Sequence, residues 1–190
     1  MEKKILYFDK PGQENTKSLM ELAWERASEL GIHDVVVATS HGSTALLAKE
    51  TFGRNTNVVA VSISESYWDK GWCLTAEERA NLESKGVTVF TGQHALGDGV
   101  NESFSDKYGG ISPEMIVWEA YYRFGQGMKV AVEIVLMAAD AGLILMEREV
   151  MSIGGTEDGA DTCIIVKPAY TRKFLDLEIR EIVAKPRQLK

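Results

Sequence analysis

The sequence predicts an α/β fold: a three-layer, mostly parallel open sheet with helices on both faces. Three observations predict it. Segments of period 2 and period 3.6 alternate along the chain, the mark of βα units. Runs such as Val35–Ala38 and Val58–Ile63 are continuously apolar, as in strands covered on both sides. Helix start and stop signals fall between those runs.

Lys3–Phe8 reads as a short first strand, and Pro11-Gly12 turns the chain. Thr16 is placed to cap a helix to Leu30, with Leu19, Leu22, Ala23, Ala27 and Leu30 as its apolar stripe and Gly31 as its stop. The strand Val35–Ala38 enters a glycine-containing turn, then a helix over Ala45–Thr51, then the strand Val58–Ile63. Thr75-Ala76-Glu77-Glu78 is a capping box opening the next helix; Gly86 closes it before the strand Val87–Thr91.

Gly92–Gly110 reads as a polar loop, longer than most in compact domains, and such loops are often functional. Ser112-Pro113 starts a helix with a capping hydroxyl and a proline at the first helical position. A second helix follows the break at Gly125-Gln126-Gly127. Its stretch Met128–Ala141 is apolar nearly all round and should lie deep. Strands are expected at Glu149–Ile153, Thr162–Val166 and Leu177–Val183. No repeat, low-complexity tract or linker divides the chain, so residues 1–190 read as one domain.

Composition narrows the functions. Hydrophobic residues at 45% and charged residues at 26% are those of an ordinary globular chain. The 21 basic residues against 28 acidic ones, a net charge of −7, argue against nucleic acid, which selects clustered Lys and Arg. A small anion, whose field is set by a few local amides, is not excluded. Cys73 and Cys163 share no metal-like spacing. The amino terminus lacks a signal-peptide core. Nor does any run reach the roughly 18 apolar residues of a membrane span. Cytoplasmic residence with reduced thiols is the expectation, with self-association left open.

Ligands of open α/β sheets bind outside the carboxyl ends of the strands. The residues following the predicted strands are Thr39-Ser40-His41-Gly42-Ser43-Thr44, then Ser64-Glu65-Ser66, then Thr91-Gly92-Gln93-His94, then Gly154-Gly155-Thr156. All four sets are small, hydroxylated or glycine-bearing. In the first, a strand runs straight into a helix whose leading amides have no internal partner and so can take an anion. Gly42 would let an oxygen approach closely. The same turn also reads as a simply capped helix, with Ser40 or Ser43 on those amides.

Val35–Ala45 followed by Val58–Ser62 resembles the carboxy-terminal domain of pyruvate kinases, where such a turn holds a sugar-phosphate effector. The resemblance extends over about Asp34–Val166, through Gly154-Gly155 and Gly159-Ala160-Asp161-Thr162, although only the first turn is specific. The whole chain looks still more like a stand-alone family of such domains, known chiefly from archaea. His41 departs from the kinase pattern, which usually has a small residue there. The resemblance implies phosphate binding without kinase activity, since that chemistry needs a (β/α)8 barrel of roughly 250 residues. It points toward flavin mononucleotide (FMN) as the ligand. From the residues themselves, Tyr67 or Trp68 would stack on its ring, and the turns at Thr91–His94 and Gly154–Thr156 would line it.

Other constellations are weaker. The chain has neither a P-loop nor a Gly-x-Gly-x-x-Gly fingerprint nor a Gly-x-Ser-x-Gly elbow. His33, His41 and His94 are too scattered for a metal set. If His41 and His94 face one pocket, either could contact a phosphate or move a proton. Tyr67, Trp68 and Trp72 read as a ring-stacking platform, a lid or a subunit contact; Trp118, Tyr121 and Tyr122 read as core or interface. Three functions follow in order: binding of a phosphorylated small molecule, a flavin-dependent oxidoreductase, or a protein-interaction module.

Overall fold

The computed structural model describes residues 2–189. Seven strands form one sheet in the order β1-β7-β6-β5-β2-β3-β4. They are β1 (Leu6–Phe8), β2 (Asp34–Ala38), β3 (Asn57–Ser62), β4 (Thr88–Thr91), β5 (Val150–Gly154), β6 (Thr162–Lys167) and β7 (Glu178–Pro186). The helices are α1 (Thr16–Leu30), α2 (Ser43–Phe52), α3 (Ala76–Ser84), α4 (Val100–Tyr108), α5 (Pro113–Tyr122) and α6 (Gln126–Asp140). Only β6 runs against its neighbours.

Alternation along the buried strands divides the core in two. Val35, Val37, Val58, Ala60, Met151 and Ile153 join Leu19, Ala23, Ala45, Ala48 and Leu82 beneath α1, α2 and α3. Val36, Val59, Val61, Val150 and Ile164 meet Ala131, Val132, Val135 and Ala138 of α6 on the opposite face. These are the predicted layers. As expected, α6 is buried nearly all round, because it lies between the sheet and α5.

The chain steps outward from β2 to β3 to β4, then returns through α4, α5 and α6 to place β5 on the other side of β2. Right-handed crossovers made in opposite directions put their helices on opposite faces. The carboxyl ends of β2 and β5 therefore sit side by side where strand order reverses. That is the position at which open α/β sheets take their ligands.

Three expectations need correcting. The stretch Gly92–Gly110 is not all loop, since Val100–Tyr108 forms α4. Its Val100, Phe104 and Tyr108, four apart, are all exposed, and without a buried stripe the segment gave no amphipathic signal. Thr16 begins α1 but does not cap it; its hydroxyl accepts from the Ala160 amide at 2.9 Å. The first strand is only Leu6–Phe8. None of the helices in the described residues is long and apolar enough to cross a membrane.

Candidate functional site

The four predicted turns follow β2, β3, β4 and β5, which run parallel, so all four lie along one edge of the sheet. Their chemistry is less uniform than their composition.

After β2, the Thr39 amide still bonds to Val61 O at 3.0 Å, extending the ladder by one residue. Its hydroxyl then accepts from Gly42 N at 2.9 Å and closes the turn. Gly42 sits at φ 90° as the N-cap of α2, and no side chain caps that helix. The first α2 bond runs from Leu46 N to Gly42 O, leaving the amides of Ser43, Thr44 and Ala45 ahead of it without an intrahelical partner. The capped-helix alternative is not what the chain adopts: neither Ser40 nor Ser43 reaches those amides among the described residues. Beside this turn, at the end of neighbouring β3, Ser62 Oγ is buried with no hydrogen-bond partner among the described residues. A buried hydroxyl without a partner is costly and uncommon.

The reason for Gly42 differs from the one expected. A Cβ there would meet Leu82 Cδ1 of α3 at 3.3 Å, on a backbone already at positive φ. Gly42 is thus needed by the fold, and its missing side chain is not shown to serve an oxygen.

His41 is exposed, with Nδ1 3.2 Å from Glu78 Oε1 and Nε2 3.0 Å from Gly71 O. It bridges α3 to the 3-10 turn Glu65–Lys70. Glu78 is the capping-box residue, accepting from Thr75 N at 2.8 Å while Thr75 Oγ1 accepts from Glu78 N at 3.2 Å. The Thr75 amide, ahead of His41, holds the Glu78 carboxyl below its usual range. A lowered folded-state pKa stabilises above the unfolded value of about 4.3 and loses that contribution as pH falls through the folded one. Thr75→Ala is expected to lower stability by about 0.5–2 kcal/mol. Glu78→Gln should flatten the acid side of the profile below about pH 4.3. Urea titrations across pH 2–6 check both.

After β5, Gly154 and Gly155 have a packing reason to be glycine, beside any clearance for a ligand. A Cβ on Gly154 would lie 2.5 Å from Gly127 O and 2.9 Å from Ala131 N, because α6 packs directly on the strand. One on Gly155 would lie 2.2 Å from Gly159 O. The Thr156 amide is also engaged, donating to Asp161 Oδ2 at 3.1 Å. Asp161, fully buried, takes Gly12 N at 3.3 Å and Thr162 Oγ1 at 2.8 Å as well, stitching this loop to the start of the chain. We expect Gly154→Ala to cost about 1–3 kcal/mol or more through overpacking against backbone, read from its urea midpoint.

After β4, Thr91 Oγ1 is held by Arg79 of α3 at 2.5 Å. Gly92 abuts the Phe90 ring, 2.8 Å from where its Cβ would be. Gln93 is exposed. His94 Nδ1 lies 2.6 Å from Asp98 Oδ2, and Asp98 Oδ1 accepts from the Tyr67 hydroxyl at 2.5 Å. That bond, with burial, pushes the Tyr67 phenol upward. Asp98 is a functional candidate that sequence reasoning missed; its signal was a non-glycine residue between two glycines, the place of a strained turn. His41 and His94 have separate partners and are not brought together.

Tyr67 stacks on Trp72 with centroids 5.7 Å apart, and Lys70 lies over both rings. Trp68 is 59% exposed. Cys73 and Cys163 are free and buried, and burial pushes both thiols up, away from reactivity. Two hollows lie away from the Thr39–Thr44 turn. One, of about 360 Å³, includes His33, Asp34 and Arg148 near the amino ends of β2 and β3; the other, of about 510 Å³, is lined by Tyr7–Lys10, Glu14 and Asn15 beyond β1.

An open sheet with helices on both faces and an uncapped helix N-terminus at its switch point defines a doubly wound α/β domain. The family is that of the pyruvate kinase alpha/beta domain, whose model matches residues 17–166, and the chain belongs to it. Similar solved structures include two of pyruvate kinase from Cryptosporidium parvum. One has 14% identity, a TM-score of 0.42 and covers 81% of this chain; the other has 13%, 0.40 and 81%. A third, the same organism's pyruvate kinase in complex with ADP, has 14% identity and a TM-score of 0.38 over 79% of this chain. The chain spans 22–23% of the length of those enzymes.

Proposed function

We propose that this protein binds a phosphorylated small molecule through the Thr39–Thr44 turn, with FMN as the preferred occupant. The observation that carries the reading is the uncapped start of α2 at the switch point, where three successive amides lack a partner among the described residues. Partial positive charge at a helix N-terminus and outward N–H groups are what a phosphate monoester requires. The hydroxyls of Ser40, Ser43 and Thr44 can add donors, and the orphaned Ser62 Oγ lies one strand away.

Two or three charge-assisted hydrogen bonds at about 1.5–3 kcal/mol each give roughly 3–9 kcal/mol before ordering costs. Micromolar affinity needs about 8 kcal/mol net, so the remainder of the ligand must contribute. The residues fit a flavin in part. Trp68 offers an exposed indole face, whereas Tyr67 is already stacked on Trp72. Gln93 and His94 supply polar groups beyond β4, and Gly154–Thr156 follows β5 next to β2, its Thr156 amide already given to Asp161. A bound flavin would supply redox chemistry; the residues named here would hold and orient it.

Equilibrium dialysis against FMN, riboflavin and fructose bisphosphate tests the assignment. FMN should be retained more strongly than riboflavin and should quench tryptophan fluorescence. Retention of the sugar phosphate with no flavin retained at saturation sinks FMN, and retention of none of the three sinks the phosphate site.

A further inference from the structure

We propose that His94 is the proton acceptor for the far end of the phosphate-anchored ligand. Its Nδ1–H is given to Asp98, and its Nε2 lone pair serves an O–H or N–H group of that ligand. This rests on the reading that the phosphate occupies Thr39–Thr44.

The local geometry sets the tautomer. Asp98 is acceptor-only as a carboxylate. Its Oδ1 already has the Tyr67 hydroxyl, and its buried Oδ2 faces His94 Nδ1 at 2.6 Å. A proton on Nδ1 suits that short approach, since a bare Nδ1 would set its lone pair against the carboxylate. The pair is close but poorly aligned, so Oδ2 still lacks a well-directed donor. Such bonds often tighten only when a ligand binds. Nε2 has no hydrogen-bond partner among the described residues, and the side chain is 26% exposed.

The loop is also held more firmly than a connection needs. Asp98 is a non-glycine residue at φ 58°. Its amide is taken by Glu102 Oε2 at 2.5 Å, and the Leu96 amide by buried Glu133 Oε1 of α6 at 2.9 Å. Gly97 sits against Trp118 of α5. Backbone held in a sparsely populated region by several elements at once is a feature of functional positions.

Placement supplies the ligand class. His94 lies in the loop after β4 and the anion turn follows β2; two strand spacings, about 10 Å, separate those strands along one edge, and the loop beyond β4 packs toward α6 and α5. A phosphate monoester on a flexible chain, with a hydrogen-bond donor at its other end, spans that gap. A flavin mononucleotide has this chemistry in its ring N–H, and a sugar bisphosphate in its hydroxyls, its second phosphate being an acceptor. When Nε2 takes the proton outright, the ligand's X–H bond breaks and its electron pair stays on X. The imidazolium formed is stabilised by Asp98. The proton returns to ligand or water, so neither oxidant nor reductant is consumed.

Long-range ¹H–¹⁵N correlation on histidine-labelled full-length protein tests this, with His94→Gln identifying the signals among three histidines. In the ligand-free protein, His94 should carry its proton on Nδ1 with Nε2 bare, and Asp98→Asn should abolish that preference. FMN or fructose bisphosphate should then shift Nε2, the responding ligand naming the class. His94→Gln should weaken that ligand about three- to tenfold. An Nε2–H tautomer overturns the proposal. So does an unmoved Nε2 in the presence of a ligand that dialysis shows to be bound, which leaves the phosphate reading standing. Ser43→Asp should erase the ligand shifts yet keep the tautomer; if neither ligand binds the parent protein, both readings fall together.

Discussion

Ser43→Asp is expected to lower affinity for FMN, or for whichever phosphate ester the protein holds, by at least about 100-fold while the fold stays intact. Ser43 is exposed at the first position of α2. A carboxylate there lies beside the unpartnered amides, competes for them, and repels a phosphate. The same charge is favourable to the helix, by about 0.3–1 kcal/mol, because it complements the dipole. Binding and stability therefore move in opposite directions, which separates a lost site from a damaged protein. Losing two charge-assisted bonds at about 1.5–3 kcal/mol each accounts for the factor. Calorimetric titration beside a urea curve reads both. A variant that binds like the parent shows the turn to be a helix start and nothing more. Gly42→Asp is a poorer probe, because positive φ and the Leu82 contact would perturb the fold as well.

The largest loss of stability is expected from Glu133→Ala. Glu133 is 1% exposed and accepts from Lys129 Nζ at 2.6 Å and from Leu96 N at 2.9 Å. Removing it leaves a buried ammonium uncompensated and a buried amide unpaired, which costs about 3–5 kcal/mol. Replacing both members, Lys129→Met with Glu133→Met, removes the charge problem and should recover much of that loss, leaving mainly the unpaired Leu96 amide. Urea denaturation of the three proteins measures the difference. If the single variant loses less than about 1 kcal/mol, Lys129 is not held as described. Because Glu133 fixes Leu96 between His94 and Asp98, the double variant should also broaden the His94 resonances.

The layers were legible in the sequence because they follow from periodicity and punctuation: continuous apolar runs for β2 and β3, the Thr75–Glu78 box for α3, Ser112-Pro113 for α5. What was not legible depends on contacts between distant segments. α4 hides because its apolar residues, Val100, Phe104 and Tyr108, face outward and mimic an irregular loop. The packing role of Gly154 and Gly155 was hidden, since a sequence does not show which glycines a neighbouring backbone approaches. Asp98 gained meaning only when the turn after β4 brought it against His94 and Tyr67. Asp161 likewise shows its role only through Gly12 and Thr156. The family resemblance located the first turn, while the lack of a side-chain cap on α2 is a structural observation.

The most direct measurement of the central claim is an amide chemical-shift titration of ¹⁵N-labelled protein with FMN and, separately, inorganic phosphate. The amides of Ser43, Thr44 and Ala45 should move first and farthest with both additions, saturating together, and Ser43→Asp should silence them. Shifts confined to the hollow at Tyr7–Asn15, with Ser43–Ala45 unmoved at saturation, would contradict it.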